Sequence, residues 1–319
     1  MKFGVQIENH LGVTYNGVRK IALEAEKSGF DGLFICDHLM GRNEETFRQP
    51  CLDPWVTLGA LAQATKKIRL GTLVSAVGFR YPSLLAKMGA TLDHVSGGRL
   101  LLTVGAGWHE PEYKAYGIPF PQVGERMQQL REAVQIIRSM WTQDHATFEG
   151  KNFKINGAWC YPRPVSPKIW VGGGGERTLL HIVANLADGW NAVGLSVDEY
   201  ARKLEILRMF CETTGRKLNT IDRSYYGSCL VGNTENEFRE SFNRHYGQYR
   251  KSEESMETFV GRMRSTRPLI GTATEVAEKM KAFQELGVSY FILYFPDKEG
   301  LSLLRRFVDL VMPGFTAVS

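Results

Sequence analysis

His38 directly follows an aspartate, Asp37, at the end of the apolar run in GLFICDH (32–38). Imidazole changes charge near neutrality, so a histidine held at a strand end can exchange protons with a bound molecule. The same pattern suits a histidine satisfied by a loop carbonyl, and both readings stay open locally. A second stretch, GWHEPEY (107–113), sets Gly107, Trp108, His109, Glu110, Glu112 and Tyr113 after the run LLLTVGAG. His109 and Glu110 are acid–base candidates. Trp108 and Tyr113 either wall a planar ring or simply pack. Glu8, Asn9 and His10 follow the first apolar run, FGVQI, and are candidates for substrate contact. The third stretch is KIWVGGGGERT (168–178). Each of Gly172, Gly173, Gly174 and Gly175 costs about 0.5–1 kcal/mol relative to alanine in regular structure. A strand-to-helix turn needs one glycine, or two. Four leave the backbone open to close approach, and a following helix N-terminus presents N–H groups that attract phosphate. Glu176, Arg177 and Thr178 come next; Arg177 can add a charge-assisted contact and Thr178 a hydroxyl. Neither a P-loop nor a dinucleotide-binding glycine pattern is present, so this reading rests on position. No metal is expected: the seven histidines include no HxH and no HExxH, and zinc needs three or four ligands in close array.

These residues act together only if the chain gathers them. Short apolar runs alternate with helix-period segments: FGVQI, GLFICDH, IRLGTLVSA, LLLTVGAG, KIWVGG, GWNAVG, SYYGSCLVG and YFILYF are the strands in order. Nearly continuous apolar strands indicate a parallel sheet covered on both faces. Eight strand–helix repeats in this length predict an α/β fold, a TIM (β/α)8 barrel with insertions in its rim loops; a doubly wound open sheet is the alternative. Residues 1–319 read as one domain, with a less regular insertion at about 233–270. In a barrel the C-terminal strand ends form the active-site rim. Glu8, Asp37, His38, Gly107, Trp108 and the four glycines all fall there. The insertion carries Arg239, Arg244, Arg250, Lys251, Arg262, Arg264 and Arg267 among balancing acids. Its cations are candidates for an anionic ligand, against a solvated mixed-charge face.

Bulk properties exclude other classes. The formal charge is +5, from 39 basic and 34 acidic residues, too mild to suggest nucleic-acid binding. The five cysteines, Cys36, Cys51, Cys160, Cys211 and Cys229, are widely spaced and form no CxxC, the pattern of a reducing compartment. No apolar leader or run of membrane-spanning length is seen. The expectation is a soluble cytoplasmic protein acting on a small molecule.

The stretches EKSGFDGLFICDH, CLDPWVTLGALAQATKKIRLGTLVSAVGFRYPSLLAKMGATLDHVSGGRLLLTVGAGWHEPEY, KIWVGGGGERTLLHIVANLADGWN and GTATEVAEKMKAFQELGVSYFIL, in this order and spacing, resemble the luciferase-like monooxygenase superfamily. Within it they resemble the deazaflavin (coenzyme F420) dependent oxidoreductases. The resemblance implies F420 at the barrel rim, its ring near His38 and its phosphate at Gly172–Gly175. It also implies a bulge at Leu73, Val74 and Ser75 against one ring face, with a cis peptide at Leu73–Val74. The implied activity is hydride transfer between F420 and a small organic substrate, and the implied assembly is a homodimer. An FMN-dependent monooxygenase and a non-catalytic barrel binding a flavin or another phosphate ligand are the alternatives. One position departs from the pattern. The sugar-phosphate dehydrogenase branch has a glutamate directly after the strand-four glycines, where this chain has Trp108.

Overall fold

The computed structural model describes residues 1–297 and 301–315. Eight parallel strands build its centre: β1 (Lys2–Ile7), β2 (Gly32–Ile35), β3 (Arg69–Thr72), β4 (Leu102–Gly105), β5 (Ile169–Gly172), β6 (Gly189–Val193), β7 (Asp222–Ser228) and β8 (Tyr290–Tyr294). Their hydrogen-bonded order is β3-β2-β1-β8-β7-β6-β5-β4, and Ser75–Ala76, the continuation of β3, pairs with β4. A bridge between Leu70 and Leu100 joins the same two edges. The sheet therefore returns on itself as the expected TIM barrel. The break in β3 is a cis peptide between Leu73 and Val74, at the bond named from the resemblance.

Two apolar layers hold the barrel. Phe34, Leu101, Trp170, Tyr290 and Ile292 fill its interior with Leu73. The larger layer lies between strands and helices, where Phe3, Ile35, Leu58, Ile137, Val171 and Leu180 are buried. Helix starts follow the local signals. Asp53 accepts the Val56 N–H ahead of Pro54 and caps helix Pro54–Ala64. Helix Ala273–Glu285 starts from Thr272, because Thr272 and Glu275 satisfy each other's backbone N–H groups.

Two other segments differ from expectation. The run SYYGSCLVG divides: β7 ends at Ser228, and Leu230–Gly232 leaves the barrel to pair in parallel with Ile270–Thr272. Between them, residues 235–266 hold two helices, Glu235–Tyr246 and Met256–Thr266. Phe238, Phe242 and Tyr246 sit at the helical four-residue step, which the surrounding charges hide, and Phe242 packs 5.0 Å from Phe259.

The rim opposite the strands' C-terminal ends is tied by Arg99, which is buried. Its guanidinium donates to the carbonyls of Ala62 (2.7 Å), Ile68 (2.9 Å), Thr65 (3.2 Å) and Ser96 (2.6 Å). The first and third are unpaired carbonyls at the end of helix Pro54–Ala64. Each orphaned buried acceptor costs about 1–3 kcal/mol, so Arg99→Leu is expected to lower stability by about 3 kcal/mol or more. Urea unfolding checks this, and a loss under about 1 kcal/mol would contradict it.

Candidate active site

The C-terminal strand ends surround a cavity of about 800 Å³. Glu8, Asp37, His38, Leu73, Val74, Gly107, Trp108, His109 and Gly172–Gly175 line it, so most of the expected residues are brought together. Ser75 is buried elsewhere, bonding the Trp55 indole and the Thr72 hydroxyl. Glu110 pairs with Lys114 on the outer side of its helix. Asn9 supports the loop: its amide donates to the carbonyls of His38 (3.0 Å) and Leu52 (2.7 Å).

At His38 the decisive partner is Glu112, which sequence reasoning passed over for Glu110. Glu110 and Glu112 share helix Glu110–Ala115, which cannot turn both acids inward. Residues two apart on a helix point to opposite sides, and Glu112 is the buried one. Its Oε2 lies 3.0 Å from His38 Nδ1, and its Oε1 accepts the N–H groups of Leu39 (2.5 Å) and Met40 (3.2 Å). Burial raises the Glu112 pKa, but the His38 bond and charge and the two N–H groups outweigh it, leaving it below the ordinary value. An ionised carboxylate only accepts, so His38 carries its proton on Nδ1 and leaves Nε2 as the reactive nitrogen.

Asp37 is also buried, and Arg80 bridges it (2.6 Å) to Asp53 (2.9 Å). Burial pushes its pKa up, and the Arg80 charge and hydrogen bond work against the shift. Across the cavity, Glu8 accepts from the Tyr226 hydroxyl at 2.5 Å. His10 lies behind it, with Nδ1 3.4 Å from Glu8 and Nε2 accepting from Arg42 at 2.5 Å. Burial, then Arg42, His38 and His109, lower the His10 pKa to about 2, so it is neutral. Burial lowers the His109 pKa as well. Trp108 stands at the mouth, 63% exposed, with the Arg42 guanidinium 5.4 Å from its ring centroid, whereas Tyr113 packs inward against Phe79.

The four glycines divide into two pairs. A Cβ at Gly172 would meet Val74 Cγ1 at 2.5 Å, and Gly173 has φ +135° with Leu179 in the way, so the fold itself requires both. A Cβ at Gly174 would come no nearer than 3.8 Å to anything, and one at Gly175 no nearer than 3.4 Å. Protein packing does not explain that second pair. The Gly173 carbonyl accepts from the Trp190 indole (2.8 Å) and the Gly174 carbonyl from Lys203 Nζ (2.8 Å). In a trans peptide the N–H opposes the C=O, so the Gly174 and Gly175 N–H groups point away from Trp190 and Lys203. Neither has a partner among the described residues. The helix itself starts at Leu179, four positions beyond Gly175. Lys203 and Arg202 draw Glu176 aside, Arg177 and Thr178 are exposed, and none of these three lines the cavity. Lys203 was not evident from sequence, since its helix lies beyond the next strand.

From the insertion, His245, Tyr246, Tyr249 and Arg267 reach the wall. Arg262 pairs with Glu254, and Arg264 with Glu235 and Glu275. Arg267 has no carboxylate partner among the described residues and lies 5.7 Å from the Tyr246 ring centroid.

Among the described residues no helix is long and apolar enough to cross a membrane. The chain matches the family described as luciferase-like monooxygenase over residues 1–290. The F420-dependent glucose-6-phosphate dehydrogenase of Nakamurella multipartita is 34% identical over 206 residues, 63% of this chain and 60% of that protein. The F420-dependent tetrahydromethanopterin reductase of Methanopyrus kandleri superposes with a TM-score of 0.80 at 20% identity, covering 99% of each chain. A monooxygenase from Streptomyces bottropensis gives 0.82 at 21% identity, covering 99% of this chain and 100% of that one. The chain spans about half to three fifths of the length of the curated relatives it matches, 52% and 60% in two cases. With the family match covering nine of every ten residues or so, from β1 into β8, the chain belongs to the luciferase-like monooxygenase family.

Proposed function

We propose that the protein is an F420-dependent oxidoreductase acting on a small organic substrate. The observation that carries this is one cavity joining the spare Gly174–Gly175 N–H pair to the His38–Glu112 pair. The curated F420-dependent relative supports the choice of cofactor. The residues present fit such a group. Gly174 and Gly175 offer unpaired N–H donors and clearance for a phosphate, while Asp37, Tyr113 and Asn191 each add to the wall a buried polar atom without a partner among the described residues. F420, when bound, supplies the hydride chemistry that protein side chains lack.

In this reading His38 Nε2 exchanges a proton with the substrate oxygen or nitrogen beside it. Glu112 fixes the tautomer and stabilises the imidazolium that forms. Trp108 and Val74 are candidate walls for planar rings and exclude water. Titrating the protein with F420 and with FMN, followed by turnover with hydride donors and acceptors, tests the proposal. Tight F420 binding with turnover is expected. Tight FMN binding with substrate-dependent oxygen uptake would overturn it, as would binding with no turnover across the panel.

Arg267 is proposed to meet the acidic tail of the cofactor. Arg267→Ala should weaken F420 binding several-fold and flatten its salt dependence, because a cation facing an anion is screened by salt. Neutralising Arg262 and Arg264, already held by carboxylates, should do neither. Equal effects in the two variants would refute the assignment.

A further inference from the structure

The loops after β1 and β2 bring His10, Cys36 and His38 together, with one ligand atom from each within 4.8 Å of the others. Cys36 Sγ lies 3.5 Å from His10 Nδ1. Tetrahedral zinc with nitrogen and sulfur ligands at about 2.0–2.3 Å holds its donors about 3–4 Å apart, so this pair already has the spacing. Cys36 and His38 line the cavity, which gives an ion access from solvent.

The surrounding groups match metal ligation. Glu112 holds His38 Nδ1 and leaves Nε2, the carboxylate–histidine arrangement that supports metal-bound imidazole. Glu8, 3.4 Å from His10, and Glu112 supply negative charge against the positive Arg42.

We propose that His10 Nδ1, Cys36 Sγ and His38 Nε2 form a three-ligand site for a borderline-soft divalent cation of the zinc type, with its fourth position open to the cavity. Capture releases the Cys36 thiol proton to solvent and moves the His10 proton from Nδ1 to Nε2. Arg42 then faces a donor instead of an acceptor and swings out, as its 37% exposed side chain allows. The bound ion occupies the His38 nitrogen, so it inhibits any proton transfer there. Metal binding itself does not depend on the cofactor proposal.

Anaerobic titration of the metal-free protein with Co2+ tests the site. One ion per chain is expected, with a near-ultraviolet thiolate-to-cobalt charge-transfer band that one equivalent of Zn2+ abolishes. Cys36→Ser, which keeps a donor for Asn9, should remove the band, and His10→Gln should weaken binding. Glu112→Gln should weaken it about 10–100-fold, as loss of a ligand-orienting partner does. Cys51→Ser removes the nearby thiol that bonds the His38 carbonyl and should leave the band unchanged. Absence of the band, its survival in Cys36→Ser, or its loss in Cys51→Ser would overturn the proposal. Circular dichroism of each variant separates loss of the site from loss of the fold.

Discussion

His38→Asn is expected to lower turnover with F420 by about 10²–10⁴-fold, the range for a positioned general acid or base. Cofactor affinity should change little, because the phosphate-side N–H groups of Gly174 and Gly175 lie on a different loop. Glu112→Gln should give a smaller loss in kcat with KM nearly constant. A glutamine still accepts from Leu39 and Met40 but no longer stabilises a positive His38. The split between kcat and KM, with unchanged thermal unfolding, separates this positioning role from simple damage. Steady-state kinetics at saturating cofactor is the measurement. A loss confined to KM in both variants would place His38 in substrate binding and end the proton-transfer reading.

Gly174→Val carries the second large effect. Two hydrogen bonds from N–H groups to a charged phosphate are worth about 1.5 kcal/mol each, so displacing the anion should weaken F420 binding by about 3 kcal/mol, on the order of 100-fold. The fold should scarcely notice, since a Cβ at Gly174 meets nothing closer than 3.8 Å. Gly173→Ala is the contrasting case: φ +135° and the Leu179 side chain make it a stability variant first. Arg177→Ala, on the exposed side of the turn, should alter affinity little. Fluorescence titration with parallel thermal unfolding distinguishes the three. Normal affinity in Gly174→Val would show that no ligand approaches that backbone.

The strands were legible because a parallel barrel buries both faces, so apolar runs such as YFILYF and LLLTVGAG stand out without any alternation to decode. Their order then placed His38 and the glycines on one rim. What stayed hidden depended on side-chain direction or on partners far apart in sequence. Glu110 and Glu112 are equivalent as letters; only the facing of a short helix separates them. Lys203 reaches Gly174 from 29 positions away, and Cys36 reaches His10 from 26. No local motif spells either contact. The four glycines looked like one feature and are two, because Val74 and Leu179 decide which of them the protein itself needs.

The insertion has a further consequence. Its two helices bring rings together, with Phe238 5.5 Å from Phe242 and Phe242 5.0 Å from Phe259, as part of the same buried core as the strands and their helices. They are anchored by the short pairing of Leu230–Gly232 with Ile270–Thr272, outside the barrel's hydrogen-bonded ring. Tyr246, Tyr249 and Arg267 nevertheless face the cavity. The segment thus ties the cavity mouth to the core: exchanging it between relatives should alter what the cavity admits and, through the shared core and the Arg264–Glu275 pair, thermal stability with it.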